Sequence, residues 1–488
     1  MMLSALVLLP ILGSVVVMLL PRREELLRAV ASITFLLTLA LAAWLFWAFP
    51  PEERGFRWVE RVPWIPALGA SYQLGVDGIS LLLVLLTAFL FPVALLGTWD
   101  AVRQRVKEYL SLLLLLEGAI LGTFLALDLV LFYVFWEAVL IPMYFLIGLW
   151  GGERRRYAAV KFFLFTMAGS VLMLLGIIVL YLRTGTFDVL RLLQTPLPPQ
   201  DQRWLFWAFT AAFAIKVPLF PLHTWLPDAH VEAPTAGSVI LAGLLLKMGA
   251  YGLLRYGLGL FPQAAREAAS LLSLLAVVGI LYGGAVAFAQ QDIKKLVAYS
   301  SISHLGFVVL GTFVFTLQGM HGALLQMVNH GLSTGGLFLL VGVLYERAHT
   351  RQMDAFGGVA KVMPTFAALS LFIVFSSAAL PGTNGFVGEF LVLLGTFRAD
   401  VRLAALAAGG VILSAVYLLW MAQRVYFGPR RVDPDRFTPL TWKEATALVA
   451  LILVILWIGL YPKPLLERSE AALSLLSARL HAAGEVVR

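Results

Sequence analysis

The sequence predicts an all-α, polytopic membrane protein with about fourteen transmembrane helices. Of the 488 residues, 60% are hydrophobic and only 13% are charged, and the mean hydropathy is +0.89. Soluble domains use about 25% charged residues, so a soluble fold is excluded. Apolar runs recur along the chain at about 20 residues, the length that crosses a hydrocarbon core as a helix.

Polar, glycine and proline residues divide the apolar runs into fourteen predicted spans. The first seven lie near residues 2–20, 28–49, 77–98, 109–126, 128–150, 157–182 and 204–222. The second seven lie near residues 235–258, 266–289, 298–316, 319–343, 364–396, 403–426 and 442–461. An even number of spans places both termini on one side of the membrane.

The formal charge of +8 is interpreted as an orientation signal rather than as a nucleic-acid-binding surface. Loops that follow odd-numbered spans carry more of the 36 Lys and Arg residues than loops that follow even-numbered spans. Because Lys and Arg concentrate in cytoplasmic loops, odd-numbered loops are predicted to be cytoplasmic and both termini external. The absence of cysteine from the sequence excludes thiolate-bound iron–sulfur clusters and disulfides in this chain.

Two predicted spans contain helix-breaking residues at matching positions. Span seven reads AIKVPLFPLHTWLP around Lys216, and span twelve reads SSAALPGTNGFVGEF before and through Glu389. The breaks lie five spans apart, so each is fourth in a five-helix unit, and an odd number of helices inverts the second unit. The pattern predicts two inverted repeats with discontinuous helices 7 and 12, as in ion-coupled transporters.

These repeats divide the chain into four predicted segments. The flanking helices 1 to 3 occupy residues 1–108, and the first repeat, helices 4 to 8, occupies 109–258. The second repeat, helices 9 to 13, occupies 259–426, and helix 14 with a C-terminal tail occupies 427–488.

Several titratable residues lie inside the predicted spans. Since a charge at the bilayer centre costs roughly 2.5 to 3.5 kcal/mol, each of them requires a partner or a function. The prolines after Lys216 should free carbonyls that accept from its ammonium, and the half-helix N-terminus should favour Glu389. We interpret the set as a proton-transfer path whose candidate residues are Glu137, Lys216, Lys247, His304, His330 and Glu389.

Structural explanations remain open for part of this set. The acidic and basic residues could form a buried ion-pair cluster, and His304 could equally be a hydrogen-bonding packing residue. His223 and His230, beside the proline-rich break, could line an entry path or pack in a loop. Glu117 and Asp128 are open between coupling of subunits and simple interfacial bonding.

Five motifs together resemble the antiporter-like subunits of respiratory complex I, the proton-pumping NADH:quinone oxidoreductase, over about residues 77–460. They are FAIKVPLFPLHTWLPDAHVEAPTAGSVILAGLLLKMGAYGLLR, VFWEAVLIPMYFLIGLWG, QQDIKKLVAYSSISHLGFVVLG, MVNHGLSTGGLFLLVGVLYER and LPGTNGFVGEFLVLLGTF. Three such subunits are lettered L, M and N. Glu389 in NGFVGEF resembles the M type, equivalent to mitochondrial subunit four, because the L and N types carry lysine there.

The resemblance implies roles for individual residues. Glu137 and Lys216 would form the pair of a first half-channel, and Lys247 would be the central connecting lysine. His330 and Glu389 would belong to a second half-channel, and His304 falls in a matching motif.

The resemblance also implies a place in the cell and a set of partners. The chain would lie in the membrane arm between L-type and N-type neighbours, in a bacterial inner membrane, with its termini on the periplasmic side. It would perform no redox chemistry and hold no cofactor, because FMN, iron–sulfur clusters, NADH and quinone would belong to partner subunits. No dinucleotide-binding G-x-G-x-x-G follows a predicted strand.

Three other functions remain as alternatives. A multisubunit cation/proton antiporter or a membrane-bound hydrogenase would share the broken helices and buried lysines. A passive scaffold for the membrane arm would tolerate neutral replacements of Glu137 and Lys216 without loss of pumping.

Overall fold

The computed structural model describes the backbone of residues 1–485 and the side chains of residues 1–482. Most of this chain is helical, because a lipid-embedded backbone must satisfy its polar groups within each segment. In the described residues, 12 helices are long and apolar enough to cross a membrane. They coincide with predicted spans 1 to 6, 8 to 11, 13 and 14, which confirms a mostly helical membrane protein.

The first half of the chain contains thirteen helical segments. They are α1 Met2–Leu19, α2 Glu24–Ala48, α3 Gly78–Gly97, α4 Val106–Leu125, α5 Leu129–Ala138, α6 Leu140–Trp150, α7 Arg155–Thr184, α8 Val189–Leu192, α9 Pro199–Lys216, α10 Trp225–Glu232, α11 Thr235–Ile240, α12 Leu246–Gly252 and α13 Leu258–Leu260. The last three form one continuous span, Thr235–Leu260, through π-helical turns at Leu241–Leu245 and Leu253–Gly257.

The second half contains nine helical segments. They are α14 Pro262–Phe288, α15 Ile293–Phe313, α16 Leu317–Ala348, α17 Val359–Val362, α18 Pro364–Ser377, α19 Asn384–Ala399, α20 Val401–Tyr426, α21 Trp442–Leu460 and α22 Lys463–Glu485. Short 3-10 turns lie at Pro66–Leu68 and Met353–Ala355.

At predicted spans seven and twelve, each expected to be discontinuous, the structure has two helices. In place of one span near 204–222 there are α9 and α10, separated by turns over residues 217–224. In place of one span near 364–396 there are α18 and α19, separated by residues 378–383. Gly382 adopts φ +92° in the second break, a backbone conformation that residues with a side chain rarely adopt.

The prediction of an all-α fold is wrong between α2 and α3. There the strands β1 Arg57–Ile65 and β2 Ala70–Val76 pair as an antiparallel hairpin. Glu60 of β1 accepts from the backbone N–H groups of Leu3, at 2.8 Å, and Ser4, at 3.0 Å, and so fastens the hairpin to the start of α1. Backbone pairing thus supplies the hydrogen bonds of a connection that lacks helical periodicity.

Most of the predicted C-terminal tail forms helix α22. The Arg468 Nε donates to the Phe46 carbonyl at 2.8 Å, and the Arg479 Nη2 donates to the Leu193 carbonyl at 2.7 Å. These bonds lay α22 across the ends of the bundle. Residues 486–488 of the predicted segment 427–488 lie outside the described residues.

The connections collect on two faces of the bundle. On the hairpin face, which holds β1, β2 and α22, Ser71 donates its N–H to Asp128 at 2.9 Å. On the opposite face, Arg351 donates to the Val231 carbonyl at 2.7 Å. Each face therefore ties together loops from distant parts of the sequence, and the apolar helices run between them.

A buried ion pair between Asp77 and Arg255 holds the span Thr235–Leu260 against α3. Asp77 caps α3 by accepting from the N–H groups of Ile79 and Ser80, at 3.2 and 3.0 Å, and also binds the Arg255 guanidinium. Both charged side chains are buried. The pair fixes the hairpin-face end of the span Thr235–Leu260 against the start of α3.

We expect Asp77→Ala to destabilise the protein by about 3 to 5 kcal/mol, because it leaves the buried Arg255 without its counter-charge. Thermal unfolding of the detergent-solubilised protein measures this change. Asp400→Ala is the matched control, since Asp400 caps α20 through the N–H groups of Arg402 and Leu403 at an exposed site. Its expected cost is about 1 kcal/mol, and equal losses in the two variants would contradict the role of the ion pair.

Candidate functional site

Lys216 is the last residue of α9, at the point where the helix breaks. Its ammonium lies 4.8 Å from the ring centroid of Trp136 on α5, which is cation–π distance. Among the described residues its Nζ has no hydrogen-bond partner, although the side chain is buried. The carbonyl of Ile215, freed by the break, accepts from the Trp225 indole at 2.9 Å instead of from the lysine.

Glu137 follows Trp136 on α5 and belongs to the same region as Lys216. The expected direct ion pair is not formed, since no Glu137 oxygen lies within 4.0 Å of the Lys216 Nζ in the described structure. One Glu137 carboxylate oxygen is buried without a hydrogen-bond partner among the described side chains. The aromatic ring of Trp136, rather than a carboxylate, is therefore the contact of the Lys216 ammonium.

Lys247 lies at the centre of the span Thr235–Leu260, just after its first π-helical turn. The ammonium donates to the carbonyl of Ala242, five residues earlier, and lies 2.6 Å from the Nδ1 of His330 on α16. When the lysine carries its proton, His330 Nδ1 must accept, so the ring proton of a neutral His330 lies on Nε2. The predicted central lysine is thus bonded directly to a predicted histidine.

Two histidines connect this lysine to Glu389. The rings of His330 and His304 have centroids 5.9 Å apart, and His304 Nδ1 lies 2.8 Å from the Glu389 Oε1. The Nε2 of Gln326 donates to the same carboxylate oxygen at 3.0 Å. Lys247, His330, His304 and Glu389 therefore form a buried series, which we call the central cluster, across four helical segments.

A cavity of about 10 Å³ lies beside the central cluster, close to the minimum space for one water molecule. Its lining is predominantly polar and comprises His304, Gln326, Asn329, His330, Ser333, Thr334, Ser376, Ser377, Gly385 and Glu389. His330 belongs to this lining, and its Nε2 has no partner among the described atoms. The cavity thus places polar groups between the second break and both histidines.

The second break is held by a polar seam around Asn384, the first residue of α19. The Asn384 Oδ1 accepts from Ser376 at 2.6 Å, from Ser333 at 3.3 Å and from the Gly385 N–H at 2.9 Å. Its carbonyl accepts from the Asn329 side chain at 2.7 Å. These bonds join α16, α18 and α19, so they fix the start of the helix that carries Glu389. The Glu389 carboxylate itself binds side chains rather than the free N–H groups expected at the helix start.

The sequence interpretation missed several residues that contact the predicted set. Tyr417 on α20 lies 3.2 Å from the His304 Nε2 through its hydroxyl, and Gln326 binds Glu389. Trp136 contacts Lys216. An aromatic or amide residue inside an apolar run gives no sign of the face it occupies. Trp136 and Asn384 both lay in quoted motifs, VFWEAVLIPMYFLIGLWG and LPGTNGFVGEFLVLLGTF, but neither motif indicated their contacts.

The histidines near the first break lie in different surroundings. His230 is fully buried and stacks on Phe338 with centroids 4.6 Å apart, and both ring nitrogens lack partners among the described atoms. His223 lies against Phe220 and Tyr282, at 5.6 and 5.2 Å between centroids. The geometry brings neither residue into hydrogen-bond contact with the central cluster.

A charged cavity of about 450 Å³ opens on the opposite face, near the segment that contains His230. Its charged lining residues are Arg103, Arg155, Glu232, Lys294, Glu346 and Arg351. The ammonium of Lys294 donates to the Ala233 carbonyl at 2.6 Å. Within the described residues, no group of three or more His, Cys, Asp or Glu side chains is arranged to hold a metal ion.

Residues 126–415 match the family described as NADH:quinone oxidoreductase/Mrp antiporter, TM. The chain belongs to this family. This result confirms the family expected from the five sequence motifs.

Individual relatives agree with that assignment. The chain is 47% identical to NADH-quinone oxidoreductase subunit M of Rhodobacter capsulatus over 444 residues, which cover 88% of this chain and 85% of the relative. It is 42% identical to NADH-ubiquinone oxidoreductase chain 4 of Marchantia polymorpha over 97% of this chain and 96% of the relative. A chain of respiratory complex I from Thermus thermophilus with bound NADH superposes with a TM-score of 0.91 and 37% identity, covering 98% of this chain and all of that one.

We expect Asn384→Leu to lower the free energy of unfolding of the protein by about 2 to 5 kcal/mol, because Ser376 and Ser333 lose a buried hydrogen-bond acceptor at the second break. Thermal unfolding of the solubilised protein measures the loss. The control is Ser377→Ala, because this neighbouring hydroxyl has no partner among the described atoms. A stable Asn384→Leu protein would show that the polar seam does not hold the break.

Proposed function

We propose that this chain is an M-type antiporter-like subunit in the membrane arm of a proton-translocating NADH:quinone oxidoreductase. The observation that carries the proposal is the central cluster, a buried series of an amine, two imidazoles and a carboxylate. Imidazole side chains take up and release protons near neutral pH, and burial in an apolar bundle separates these groups from bulk water. The 47% identity to a subunit M supports the M type over an Mrp antiporter.

The central cluster is arranged for stepwise proton movement. A proton on Lys247 can pass to His330 Nδ1 along their 2.6 Å contact, while His330 Nε2–H releases its own proton toward the small cavity. His304 can then receive a proton and deliver one to Glu389 along the 2.8 Å contact at Nδ1. The first and last transfers join atoms within hydrogen-bond distance, which is the geometric requirement for acid–base relay, and the step from His330 to His304 would pass through a water molecule in the small cavity.

In the first repeat, Glu137 and Lys216 would act as the switch of the proton pathway. Lys216 has the Trp136 ring as its contact, and Glu137 is not bonded to it. A small movement of the broken helix could bring ammonium and carboxylate together or apart, and an approaching carboxylate favours the charged lysine. Glu137 and Lys216 would thereby couple the protonation of the lysine to the conformation of the break between α9 and α10.

We also propose that the chain has fourteen spans in the four predicted segments 1–108, 109–258, 259–426 and 427–488. The pairs α9–α10 and α18–α19 would be the halves of discontinuous spans seven and twelve. Two matching caps support the inverted repeats. Asp128 caps α5, and its backbone forms an isolated β-bridge with Asp188 on the hairpin face. Five spans later, Asp292 caps α15, and its backbone forms an isolated β-bridge with Gln352 on the opposite face.

The proposed location is the bacterial inner membrane, with the hairpin face and both termini on the periplasmic side. The charged cavity would then open to the cytoplasm, and Lys294 and buried His230 lie near it. These residues would admit protons toward Lys247. This orientation rests on the distribution of Lys and Arg among the loops.

The proposed partners are an L-type and an N-type neighbour in the membrane arm. NADH, FMN, iron–sulfur clusters and quinone would belong to other subunits, so this chain would contribute no redox chemistry. Its work would be the movement of protons, driven by quinone reduction elsewhere in the complex. A passive scaffold is less favoured, because replacing buried ion pairs with apolar residues is often neutral or stabilising, so stability alone gives little reason to keep the central cluster.

We expect Glu389→Gln to lower proton uptake and coupled quinone reduction roughly tenfold or more, because a glutamine cannot accept the proton from His304. NADH-driven activity and pumping are measured in sealed vesicles that contain the fully assembled complex. Glu467→Gln, which changes a partly exposed carboxylate on α22, is the matched control. Pumping at the parental level in an assembled Glu389→Gln complex would support the scaffold alternative instead.

We expect Lys216→Ala to reduce pumping by a similar factor, roughly tenfold, because it removes the titratable group of the first unit. The same vesicle measurements apply, with Lys361→Ala as the control at an exposed lysine on α17. Unchanged activity and proton stoichiometry would mean that Lys216 is a structural charge.

A further inference from the structure

An apolar cleft of about 340 Å³ lies at the periphery of the bundle, away from the central cluster. It is formed by α2, α3, α16, α21 and the start of α22. The residues that line it are Leu39, Ala43, Phe46, Trp47, Leu82, Leu85, Leu86, Phe89, Val328, Leu332, Val454, Trp457, Ile458 and Leu465. Every one of these side chains is apolar or aromatic, so the cleft suits an apolar occupant.

The cleft lies at one depth in the membrane. α2 ends at the hairpin face, and its lining residues run from Leu39 to Trp47 in that half of the helix. α21 also ends there, and its lining residues run from Val454 to Ile458. The start of α22 closes the end of the cleft through Leu465. The space therefore belongs to the leaflet on the hairpin face.

The guanidinium of Arg468 lies at the same end of the cleft. Arg468 of α22 stacks over Phe46 and Trp47, with its Cζ 4.4 and 5.2 Å from the ring centroids. Its Nε and Nη1 donate to the carbonyls of Phe46 and Pro464 at 2.8 and 3.0 Å. The Nη2 is left without a hydrogen bond among the described atoms, and a guanidinium is well suited to binding phosphate.

The rim of the cleft carries an aromatic residue that favours a lipid occupant. Trp47 is 63% exposed at the rim, and tryptophan is typical of the level where lipid head groups meet the hydrocarbon core.

We propose that this cleft binds one acyl chain of a phospholipid from the hairpin-face leaflet, with the lipid phosphate at Arg468. The apolar walls take the hydrocarbon chain, and the guanidinium supplies the charge complementary to the head group. The occupant would also contact Val328 and Leu332 on α16, the helix that carries His330. The proposal depends only on membrane embedding and is independent of proton translocation.

The test uses the assembled complex in vesicles of phosphatidylcholine that carries a diazirine on one acyl chain. After illumination, we expect mass spectrometry to find labelled peptides at residues 39–47, 82–89 and 454–458. Ala43→Trp fills the cleft and should reduce this labelling roughly tenfold. Ala40→Trp is the matched control, because Ala40 is exposed on the same helix and does not line the cleft. Equal labelling in both variants would overturn the acyl-chain site.

The head-group contact is tested with the same photoreactive chain on diacylglycerol, which lacks phosphate. We expect the phospholipid to label the parent more strongly, and Arg468→Gln to remove this preference while Arg468→Lys retains part of it. Assembly of both variants is checked on native gels, because Arg468 also fastens α22. Equal labelling by the two lipids in the parent would overturn the phosphate contact. A photoreactive residue at position 39 that captured another subunit in place of lipid would overturn the whole proposal.

Discussion

The cost of placing charge in an apolar bundle governs the arrangement of this molecule. A buried titratable side chain without a partner is costly, and the central cluster supplies partners in sequence from Lys247 to Glu389. The π-helical turn before Lys247 leaves the Ala242 carbonyl able to accept from the ammonium. The second break is likewise closed by side-chain bonds to Asn384. Irregular backbone thus occurs where buried polar groups need it.

The two halves of the chain satisfy this constraint to different degrees. Glu389 accepts from His304 and Gln326, whereas Lys216 contacts the face of an indole and Glu137 is not ion-paired with it. An ammonium over an aromatic ring is stabilised by about 0.5 to 2 kcal/mol, and the Lys216 Nζ has no hydrogen bond among the described atoms. The first half is therefore the one in which a small displacement changes the electrostatic balance most.

Much of the fold followed from the sequence, because lipid imposes a length and an apolar composition on each span. The sites of both breaks were predictable from Pro218, Pro221 and Gly382. The hairpin of β1 and β2 was not, since it depends on pairing between strands outside the spans. Tyr417 and Trp136 were missed for a related reason: an aromatic residue in a fully apolar run has no periodicity that reveals which neighbour it contacts.

Helix α16 brings these parts into one element. One side of it presents His330 to Lys247, another presents Asn329 and Ser333 to the second break, and Val328 and Leu332 line the peripheral cleft. A 32-residue helix bonded at its centre cannot shift at one of these contacts without displacing the others. Rotation of α16 by a fraction of a turn would separate Lys247 from His330 and strain the seam at Asn384 together. The helix is therefore the element that contacts both Lys247 and the second break.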